Sequence, residues 1–312
     1  MQVKIKETMI FLVWLLIVIV FSYFAPKSTI ILATPYVYKP QTFNETYVAL
    51  SVFNIGDKVV MRANVTTQGG YSINKVILNL TDSNSVQKYT NTEMTNKLLT
   101  CSGPVLCRIY EKNYTLSQSP PDSPGTWKIN VTANDTDNYR ASNSTTFEVS
   151  VWVSITPSQA ILGGVMFGAV DPNTNDNPAL NDTTGDGGGT DYNITIDTSS
   201  NVNVDLYHRA TGNLVYSGNS IGINNVSHAA NTTSNTGNNL DDYTEAGDLD
   251  SIAMSTSYAI IGGSGVCSNL QSSNNCWMTY WLDVPSGQVP GDYDTDYEYC
   301  GVQNGQGSAQ CG

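Results

Sequence analysis

Apolar and polar positions alternate through much of the chain between residues 46 and 155. This period of two is typical of β-strands that have one buried face. Turn-forming pairs such as Gly56-Asp57 and Pro124-Gly125 separate the alternating runs, and the pattern predicts an antiparallel sandwich of about 110 residues. The residues expected to face its core are Val59, Met61, Ala63 and Val65, then Val76, Leu78 and Leu80, and then Trp127, Ile129, Val131 and Ala133.

The second half of the chain repeats the alternation with longer loops. Its apolar sets are Tyr192, Ile194 and Ile196, then Val202, Val204 and Leu206. Phe147 to Ile155 alternate without a Gly/Ser-rich linker, so the two modules are expected to join directly. The predicted fold class is all-β, with two tandem antiparallel β-sandwiches at residues 28–155 and 156–312.

An uncharged apolar run of 17 residues, Met9 to Ala25, follows Lys4 and Lys6. A run of this length fits both a short membrane-spanning helix and the core of a secretory signal. Basic residues ahead of it place the N-terminus in the cytoplasm and the rest of the chain outside. Residues 1–27 therefore predict a hydrophobic helix that directs export, as a retained signal-anchor or a cleaved signal. After cleavage, residues 28–38 would be free to complete a neighbouring subunit's sheet; otherwise they begin the first sandwich or a stalk.

Potential N-glycosylation sites are dense, which agrees with an exported chain. An Asn- and Thr-rich sequence produces some of these motifs by chance, but eleven in one chain is a stronger signal. Those on the alternating strands fall in the polar set, as a glycan requires. The acceptors are Asn44, Asn64, Asn79, Asn113, Asn130, Asn134, Asn143, Asn181, Asn193, Asn225 and Asn231.

The six cysteines form three close pairs along the chain: Cys101 and Cys107, Cys267 and Cys276, and Cys300 and Cys311. Such spacings favour three short-loop disulfides, as expected outside the cytoplasm. A metal site is the weaker alternative, because no CxxC motif occurs and neither histidine is adjacent to a cysteine.

Charge divides the chain into two dissimilar halves. Residues 1–150 hold 13 of the 14 basic groups and 10 of the 27 acids, a net charge of +3, whereas residues 151–312 hold Arg209 alone against 17 acids, a net charge of −16. An acidic half with one arginine cannot neutralise phosphates, so a nucleic-acid partner is excluded. The overall content of 13% charged residues is low, and uncharged Asn, Gly, Ser and Thr supply most of the polarity.

Acidic loops in the second half offer oxygen ligands of the kind that Ca²⁺ takes. No stretch has the spacing of an EF-hand, and a solvated acidic surface with Asx-turns explains the same composition. Both interpretations stay open at this point. The candidate calcium ligands are Asp176, Asp182, Asp186, Asp191, Asp241, Asp242, Asp248 and Asp250.

Candidates for catalysis are few, because the chain has two histidines. His208 is expected at a strand end, as a surface or satisfied polar residue, and His228 in a loop. One GxSxG match, Gly218 to Gly222, precedes no helical pattern, which the nucleophile elbow requires. We expect the protein not to be an enzyme.

The stretch Pro124 to Asp135, followed by Phe147-Glu148-Val149-Ser150-Val151, resembles the last two strands of immunoglobulin-like modules in prokaryotic surface proteins, although it lacks the Cys-Trp-Cys framework of antibody-type domains. The segment Met278 to Tyr293 resembles the terminal hairpin of exported sandwich modules in archaeal and bacterial envelope proteins. Together with the dense acceptor sites, these resemblances imply an archaeal-type cell-surface protein of the kind found in envelope layers or surface filaments.

The expected function is that of an exported, glycosylated structural protein in an envelope layer, adhesin or filament. Its partners would be other copies of the chain or other envelope proteins, and the membrane through residues 9–25 if these are retained. The alternative is a calcium-dependent module that binds carbohydrate or another cell through Trp277, Trp281, Tyr293 and Tyr297.

Overall fold

The computed structural model describes residues 35–67, 72–100, 107–180, 192–232, 252–263 and 265–312. Within these ranges the protein is all-β and contains several sheets, as the alternation predicts. The hydrophobic helix expected within residues 1–27 lies outside them. Across the described ranges, no helix has both the length and the apolar character needed to cross a membrane.

The first unit, residues 35–149, contains two five-stranded sheets. One has the order β1-β4-β8-β7, with β2 also paired to β4, and the other has the order β3-β10-β9-β5-β6. The strands are Tyr36–Val37 (β1), Gln41–Phe43 (β2), Val52–Phe53 (β3), Lys58–Thr66 (β4), Ile73–Thr81 (β5), Gln87–Glu93 (β6), Thr95–Thr100 (β7), Cys107–Thr115 (β8), Gly125–Asp135 (β9) and Arg140–Val149 (β10).

The second unit, residues 155–312, contains a six-stranded sheet, a three-stranded sheet and a two-stranded hairpin. The orders are β11-β13-β20-β17-β18 with β12 also paired to β20, then β19-β14-β21, and then β15-β16. The elements are Ile155–Pro157 (β11), Gln159–Leu162 (α1), Thr174–Pro178 (β12), Tyr192–Ile196 (β13), Val204–Ala210 (β14), Leu214–Tyr216 (β15), Asn219–Ile221 (β16), Val226–Asn231 (β17), Ile252–Ala253 (β18), Ala259–Ile260 (β19), Asn275–Val284 (β20) and Tyr297–Gln303 (β21), with 3₁₀ turns at Ile223–Asn225 and Ser308–Cys311.

Side chains from both sheets of the first unit enter one cluster of buried residues. Every residue of β4, β5 and β9 that the alternation assigns to the core is 1% exposed or less. Trp127 lies at the centre of this cluster, and its indole Nε1 donates a hydrogen bond to the Ser123 carbonyl at 2.9 Å. The period of two therefore identifies the buried face correctly.

Two features of the first unit differ from the prediction. Val60, assigned to the outward set, is 2% exposed, because it lies between Phe43 of β2 and Asn113 of β8 on the outer face. The other concerns strand direction: β3 runs parallel to β10, with Val52 opposite Glu148. The alternation along one strand does not show whether the outer face of the strand is also covered, and it does not show in which direction a neighbouring strand runs.

Three hairpin turns in the first unit share one design. An Asx residue accepts the backbone N–H groups of the second and fourth residues after it through Oδ1, and the third residue has a positive φ of 62 to 66°. This side-chain contact replaces a backbone partner and holds the turn closed. The Asx residues are Asn44, Asp82 and Asp135, and the positive-φ residues are Tyr47, Ser85 and Asn138.

The core of the second unit follows the predicted alternation at all but one residue. Tyr192, Ile194 and Ile196 of β13 are fully buried, as are Val204 and Leu206 of β14. Val202, predicted in the same apolar set, lies ahead of β14 and is partly exposed. The terminal hairpin that the resemblance of Met278 to Tyr293 implies is not formed, however. Strand β20 lies in the six-stranded sheet and β21 pairs with β14 in the three-stranded one, so the segment between them crosses from one sheet to the other.

Residues 150–154 connect the units without strand pairing. Ser150 donates its N–H to the Phe53 carbonyl in the first unit at 2.8 Å. Asn201 of the second unit binds the Trp152 N–H at 2.8 Å through Oδ1 and the Ser150 carbonyl at 2.9 Å through Nδ2. The connection is thus short and hydrogen-bonded to both sides. The β1 residues Tyr36 and Val37 pair with β4 of their own unit, so this part of the proposed donor strand is already used.

Candidate functional site

The outer face of the β3-β10-β9-β5-β6 sheet carries three of the predicted glycosylation acceptors. Asn79 of β5 lies directly opposite Asn130 of β9, and Asn130 lies opposite Ser144 of β10. Asn134, four residues further along β9, lies between Lys75 and Arg140. We call this surface, defined by Asn79, Asn130 and Asn134, the acceptor face. Its members are partly exposed, but the Oδ1 atom of Asn134 is buried and has no hydrogen-bond partner among the described residues. Cross-strand neighbours of this kind have Cβ atoms about 5 Å apart.

Asn44 occupies the first of the three Asx hairpins. Its Oδ1 accepts hydrogen bonds from the Thr46 N–H at 3.1 Å, the Thr46 hydroxyl at 2.8 Å and the Val48 N–H at 2.9 Å. Thr46 is the hydroxyl residue of the same acceptor motif. All these bonds use the oxygen of the amide and leave its nitrogen, the glycan-bearing atom, outside the turn.

Three further acceptors have side chains that are already used or enclosed. Asn143 lies opposite the core residue Val131, and its Nδ2 donates to the Val37 carbonyl at 3.1 Å. Nδ2 of Asn225 donates to the Gly222 carbonyl at 3.0 Å. The Oδ1 atom of Asn113 is buried. Alternation over β10 places Asn143 in the inward phase, a signal that motif matching alone misses.

The remaining described acceptors lie on strand edges and sheet faces. Asn193 of β13 and Asn231 of β17 both flank Trp277, the residue between them on β20. Asn64 lies on the outward face of β4, where its carbonyl accepts the Tyr38 N–H at 3.0 Å. Asn181 lies outside the described residues.

Two of the three predicted disulfides are present as paired. Cys267–Cys276 spans 5.6 Å and Cys300–Cys311 spans 5.7 Å between Cα atoms. Cys267 and Cys276 are fully buried, whereas Cys300 and Cys311 are partly exposed. Cys107 is disulfide-bonded, and its predicted partner Cys101 lies outside the described residues.

Of the eight proposed calcium ligands, the structure describes Asp176 alone. Its backbone N–H donates to the Asp283 carboxylate at 2.8 Å, and its φ is +58°. In the described ranges no three His, Cys, Asp or Glu side chains converge in a way that could hold a metal ion. The other seven candidates, Asp182, Asp186, Asp191, Asp241, Asp242, Asp248 and Asp250, fall outside these ranges.

The aromatic residues of the alternative carbohydrate-binding interpretation do not form one cluster. Trp281 is 4% exposed and packs with Ala229 and the partly buried Trp277 in the six-stranded sheet. Tyr293 contacts Tyr216 at a ring distance of 5.8 Å. Tyr297 instead packs against the core of the second unit, where burial raises its pKa. The sequence placed these residues near each other along the chain, but β20 and β21 belong to different sheets.

Both histidines lie in the core rather than at the surface. His208 of β14 is 2% exposed and His228 of β17 is 0% exposed, so the expectations of a strand-end surface residue and a loop residue are wrong. His208 follows Leu206 and precedes Ala210 in the inward phase of β14. That alternation was the available signal, and the polarity of imidazole obscured it.

Buried carboxylates elsewhere have partners within their own units. Asp122 binds the Lys88 ammonium at 2.8 Å, the Tyr114 hydroxyl at 3.0 Å and the Ser117 N–H at 2.8 Å. Burial and the Asp122 contact raise the pKa of Tyr114. Glu111 pairs with Arg62 and Lys97 at 2.8 and 2.9 Å. Satisfied contacts of this kind stabilise a buried charge.

A polar groove lies where the two units approach each other. It comprises adjoining cavities of about 240 and 340 Å³ that share Asn201, Val202 and Asn203. None of the lining residues carries a charge, although the chain has a net charge of −13. The Ser123 hydroxyl at its wall is buried without a hydrogen-bond partner among the described residues. The lining of the larger cavity is Asn84, Ser123, Pro124, Asn201, Val202, Asn203, Asn269, Gln303 and Asn304.

Three solved structures are similar to parts of this chain. The match to the CARDB domain of a Pyrococcus furiosus protein, in complex with di-metal ions, spans 38% of this chain and 89% of the chain of that structure, with 20% identity and a TM-score of 0.24. The secreted serine protease VesC of Vibrio cholerae covers 79% of this chain and 49% of its own, with 8% identity and a TM-score of 0.21. The match to a Salmonella alpha-2-macroglobulin spans 85% of this chain and 15% of the macroglobulin chain, with 12% identity and a TM-score of 0.21. Scans against protein families and against curated proteins find no match.

Proposed function

We propose that this chain is a non-enzymatic, exported and glycosylated structural protein of a cell surface, of the archaeal envelope type. It would consist of two tandem β-sandwiches, the first immunoglobulin-like, on an N-terminal signal or membrane anchor at residues 9–25. The observation that carries the proposal is the acceptor face, where three N-glycosylation motifs point away from the core on two neighbouring strands.

The chemistry of the acceptor face suits a glycan-covered surface. Asn79 uses Oδ1 to accept the Asn91 N–H at 2.6 Å, which orients the amide while its nitrogen remains the reactive group. Ser142, Ser144 and Thr146 continue the same face on β10, which also carries Lys75, Lys128, Arg140 and Glu148. A hydrated sugar layer would add solubility and protection to this surface.

The disulfides of the second unit support an oxidising location for the protein. Structural disulfides persist in exported proteins and are rare in the cytoplasm. Cys267–Cys276 and Cys300–Cys311 close short loops on two different segments of the second unit.

Assembly would use the charge difference between the two halves. Residues 28–150 hold 10 basic and 9 acidic groups, a net charge of +1, against a net charge of −16 on residues 151–312, and patches of opposite charge attract mainly within about one Debye length. Ca²⁺ would bridge the acidic loops of neighbouring copies or of other envelope proteins. Assembly by this route weakens as the ionic strength rises.

The test of the proposal is glycopeptide mapping of the protein purified from its native cells. We expect glycans at Asn79, Asn130 and Asn44, and none at Asn143, whose amide nitrogen is bound to Val37. Asn143 is the matched internal control, because it has the same motif on the same sheet. A protein with no glycan at any acceptor would overturn the proposed function.

The polar groove favours a second candidate function, the binding of a neutral saccharide. Uncharged amides and hydroxyls complement sugar hydroxyl groups, and the larger cavity of about 340 Å³ accommodates a small saccharide. A glycan array probed with the wild-type chain and an Asn84→Ala/Gln303→Ala variant tests this function. Asn219→Ala, on the distant β16 hairpin, is the control variant.

If the groove variant loses glycan binding and the control variant keeps it, the groove is the binding site. If binding also survives a chelator, it does not depend on calcium, which separates this function from the calcium-dependent alternative. Loss of binding on chelation assigns recognition to the acidic loops instead. An array with no neutral glycan bound rejects this second candidate and leaves the structural proposal intact.

A further inference from the structure

The two histidines of the chain meet between the two main sheets of the second unit. His208 belongs to the three-stranded sheet and His228 to the six-stranded sheet. Their ring centroids are 4.2 Å apart and the planes are inclined by 75°. Both rings are almost completely removed from solvent, with exposures of 2% and 0%. They therefore form a direct contact across the core.

The backbone fixes the protonation state that this contact requires. Gly262 donates its N–H to Nε2 of His228 at 3.2 Å, so Nε2 is an unprotonated acceptor and the ring proton lies on Nδ1. Gly262 itself has a φ of +73° and lies against Ala230 and Val266. The turn that contains Gly262 follows β19, which pairs with His208 through Ala259. One hydrogen bond thus joins this turn to the imidazole of the opposite sheet.

Among the described residues, no charged side chain of opposite sign acts on either ring. Nδ1 of His208 has no hydrogen-bond partner in these ranges. Arg209 and Glu298 bind each other at 2.7 Å, and these residues alternate with His208 and Tyr299, on the opposite face of their sheet. The titratable groups that contact the pair are Tyr299 from β21, beside His208, and Tyr280 from β20, beside His228. Tyr297 and Tyr192 contact Tyr280 in turn, while β18 contributes the backbone of Ile252.

Protonation of the histidines would turn these favourable contacts into repulsive ones. An Nε2–H on His228 would face the Gly262 N–H, donor against donor, and the hydrogen bond would be lost. Two imidazolium rings at this separation would repel each other, and among the described residues no carboxylate contributes to the electrostatics of either ring. We propose that the His208–His228 pair is an acid-sensitive contact, which holds the two sheets of the second unit together at neutral pH and releases the Gly262 turn and the sheet interface on acidification.

The pKa values agree with this geometry. Burial lowers the pKa of His228 to about 4, against a small opposing effect from the Ile252 backbone. Burial, together with the charge of His228, lowers the pKa of His208 well below its ordinary value. Because the unfolded chain takes up protons near pH 6.5 and the native pair does not, stability is lost as pH falls from 6.5 towards 4. Within this window, protonation of each histidine in the opened state raises the equilibrium constant for opening of the second unit by up to about tenfold for each unit by which the pH falls.

Hydrogen exchange of the full-length chain between pH 7 and 4.5, followed by mass spectrometry and corrected for the intrinsic pH dependence, tests the proposal. Below about pH 6.5, peptides from β17 and β20 are expected to lose protection by up to about tenfold per pH unit for each histidine. Peptides from β9 in the first unit, which has no histidine, are the internal control. In His208→Phe/His228→Gln the acid-dependent loss should disappear. Equal losses in both units, or an unchanged loss in the variant, would overturn the proposal.

Nuclear magnetic resonance of the wild-type chain provides a measurement that does not depend on the variant folding. Two histidine ring signals are expected, since the chain has two histidines, and neither should titrate above about pH 5.5. A histidine that titrates reversibly near pH 6.5 in the folded protein would also refute the acid-sensitive contact.

Discussion

Asn201 and Trp152 bind each other in both directions: the Asn201 Oδ1 accepts the Trp152 N–H at 2.8 Å, and the Asn201 N–H donates to the Trp152 carbonyl at 3.1 Å. Trp152 lies in the short connection between the units and is 44% exposed. The second unit therefore holds the connection by its backbone rather than by packing of the tryptophan ring.

Asn201→Ala should loosen the connection while leaving both cores intact. The variant loses two side-chain hydrogen bonds, and we expect the local opening free energy of residues 150–154 to fall by about 1–3 kcal/mol. Hydrogen exchange of the Trp152 amide measures this change. Asn203→Ala, which removes one exposed side-chain bond to Asn269, is the matched control and should leave the Trp152 amide protected.

Asp205 should contribute stability that disappears in acid. Its carboxylate accepts hydrogen bonds from the Asn269 N–H, the Asn304 amide and the Gly305 N–H, each at 2.8 to 2.9 Å. Burial alone would raise the pKa of Asp205, but these donors lower it below the ordinary value of 3.8. Because the native pKa is depressed, this stabilisation is complete above about pH 4 and is lost as pH falls through the native pKa.

Asp205→Asn is therefore expected to destabilise the second unit by about 1–3 kcal/mol at pH 7, with a smaller difference from the wild type at pH 3. Urea unfolding at the two pH values measures both quantities. The exposed Asp292→Asn substitution is the control and should change stability little at either pH. A penalty for Asp205→Asn that is the same at pH 3 and pH 7 would contradict the role of the charge.

The two described disulfides should differ in reactivity. Cys300 and Cys311 are partly exposed, whereas Cys267 and Cys276 are fully buried. A mild reductant followed by alkylation and peptide mapping should label the Cys300–Cys311 pair first, because thiol exchange requires access to a sulfur. Removal of either bond should cost about 2–3 kcal/mol from loop entropy, with an additional loss for the buried pair. Earlier labelling of Cys267 would contradict this order.

Gly291 lies against the ring of Tyr216, and a Cβ atom there would be 2.1 Å from the ring carbons. Gly291→Ala should therefore destabilise the β15-β16 hairpin region by about 1–3 kcal/mol through overpacking. The double variant with Tyr216→Ala should recover much of this loss, since the obstructing ring is absent. Gly212→Ala places its Cβ in open space and should be nearly neutral. Thermal unfolding of the wild type, Gly291→Ala, Tyr216→Ala and the double variant measures the coupling, with Gly212→Ala as the control.

The alternation of residues was sufficient to assign buried faces but not strand partners. Along β4, β5, β9 and β13 every residue that it assigned to the core is buried, because a half-buried strand must place successive side chains on opposite faces. It did not show the partners of β20 and β21, which lie far along the chain. The same limit explains Val60, which is buried by a neighbouring strand on the face that the pattern assigned to solvent.

The histidines and the acceptor sites show a related limit. His208 fits the inward phase of β14 with Leu206 and Ala210, yet its polarity predicted exposure, and its partner His228 belongs to another sheet. Among the acceptors, Asn143 matches the glycosylation motif as well as Asn79 does. Only strand register shows that one amide is bound to Val37 while the other lies outward.

The Asx hairpins at Asn44, Asp82 and Asp135 close through one side-chain oxygen each, which aspartate and asparagine supply equally. Folding therefore does not discriminate between the two residues at position 44, but the attachment of a sugar does, because only the amide has the nitrogen. Deamidation or a single-base change at Asn44 would remove the proposed glycan acceptor and add a negative charge without altering the turn. The acceptor at this hairpin can thus be lost without a cost in stability.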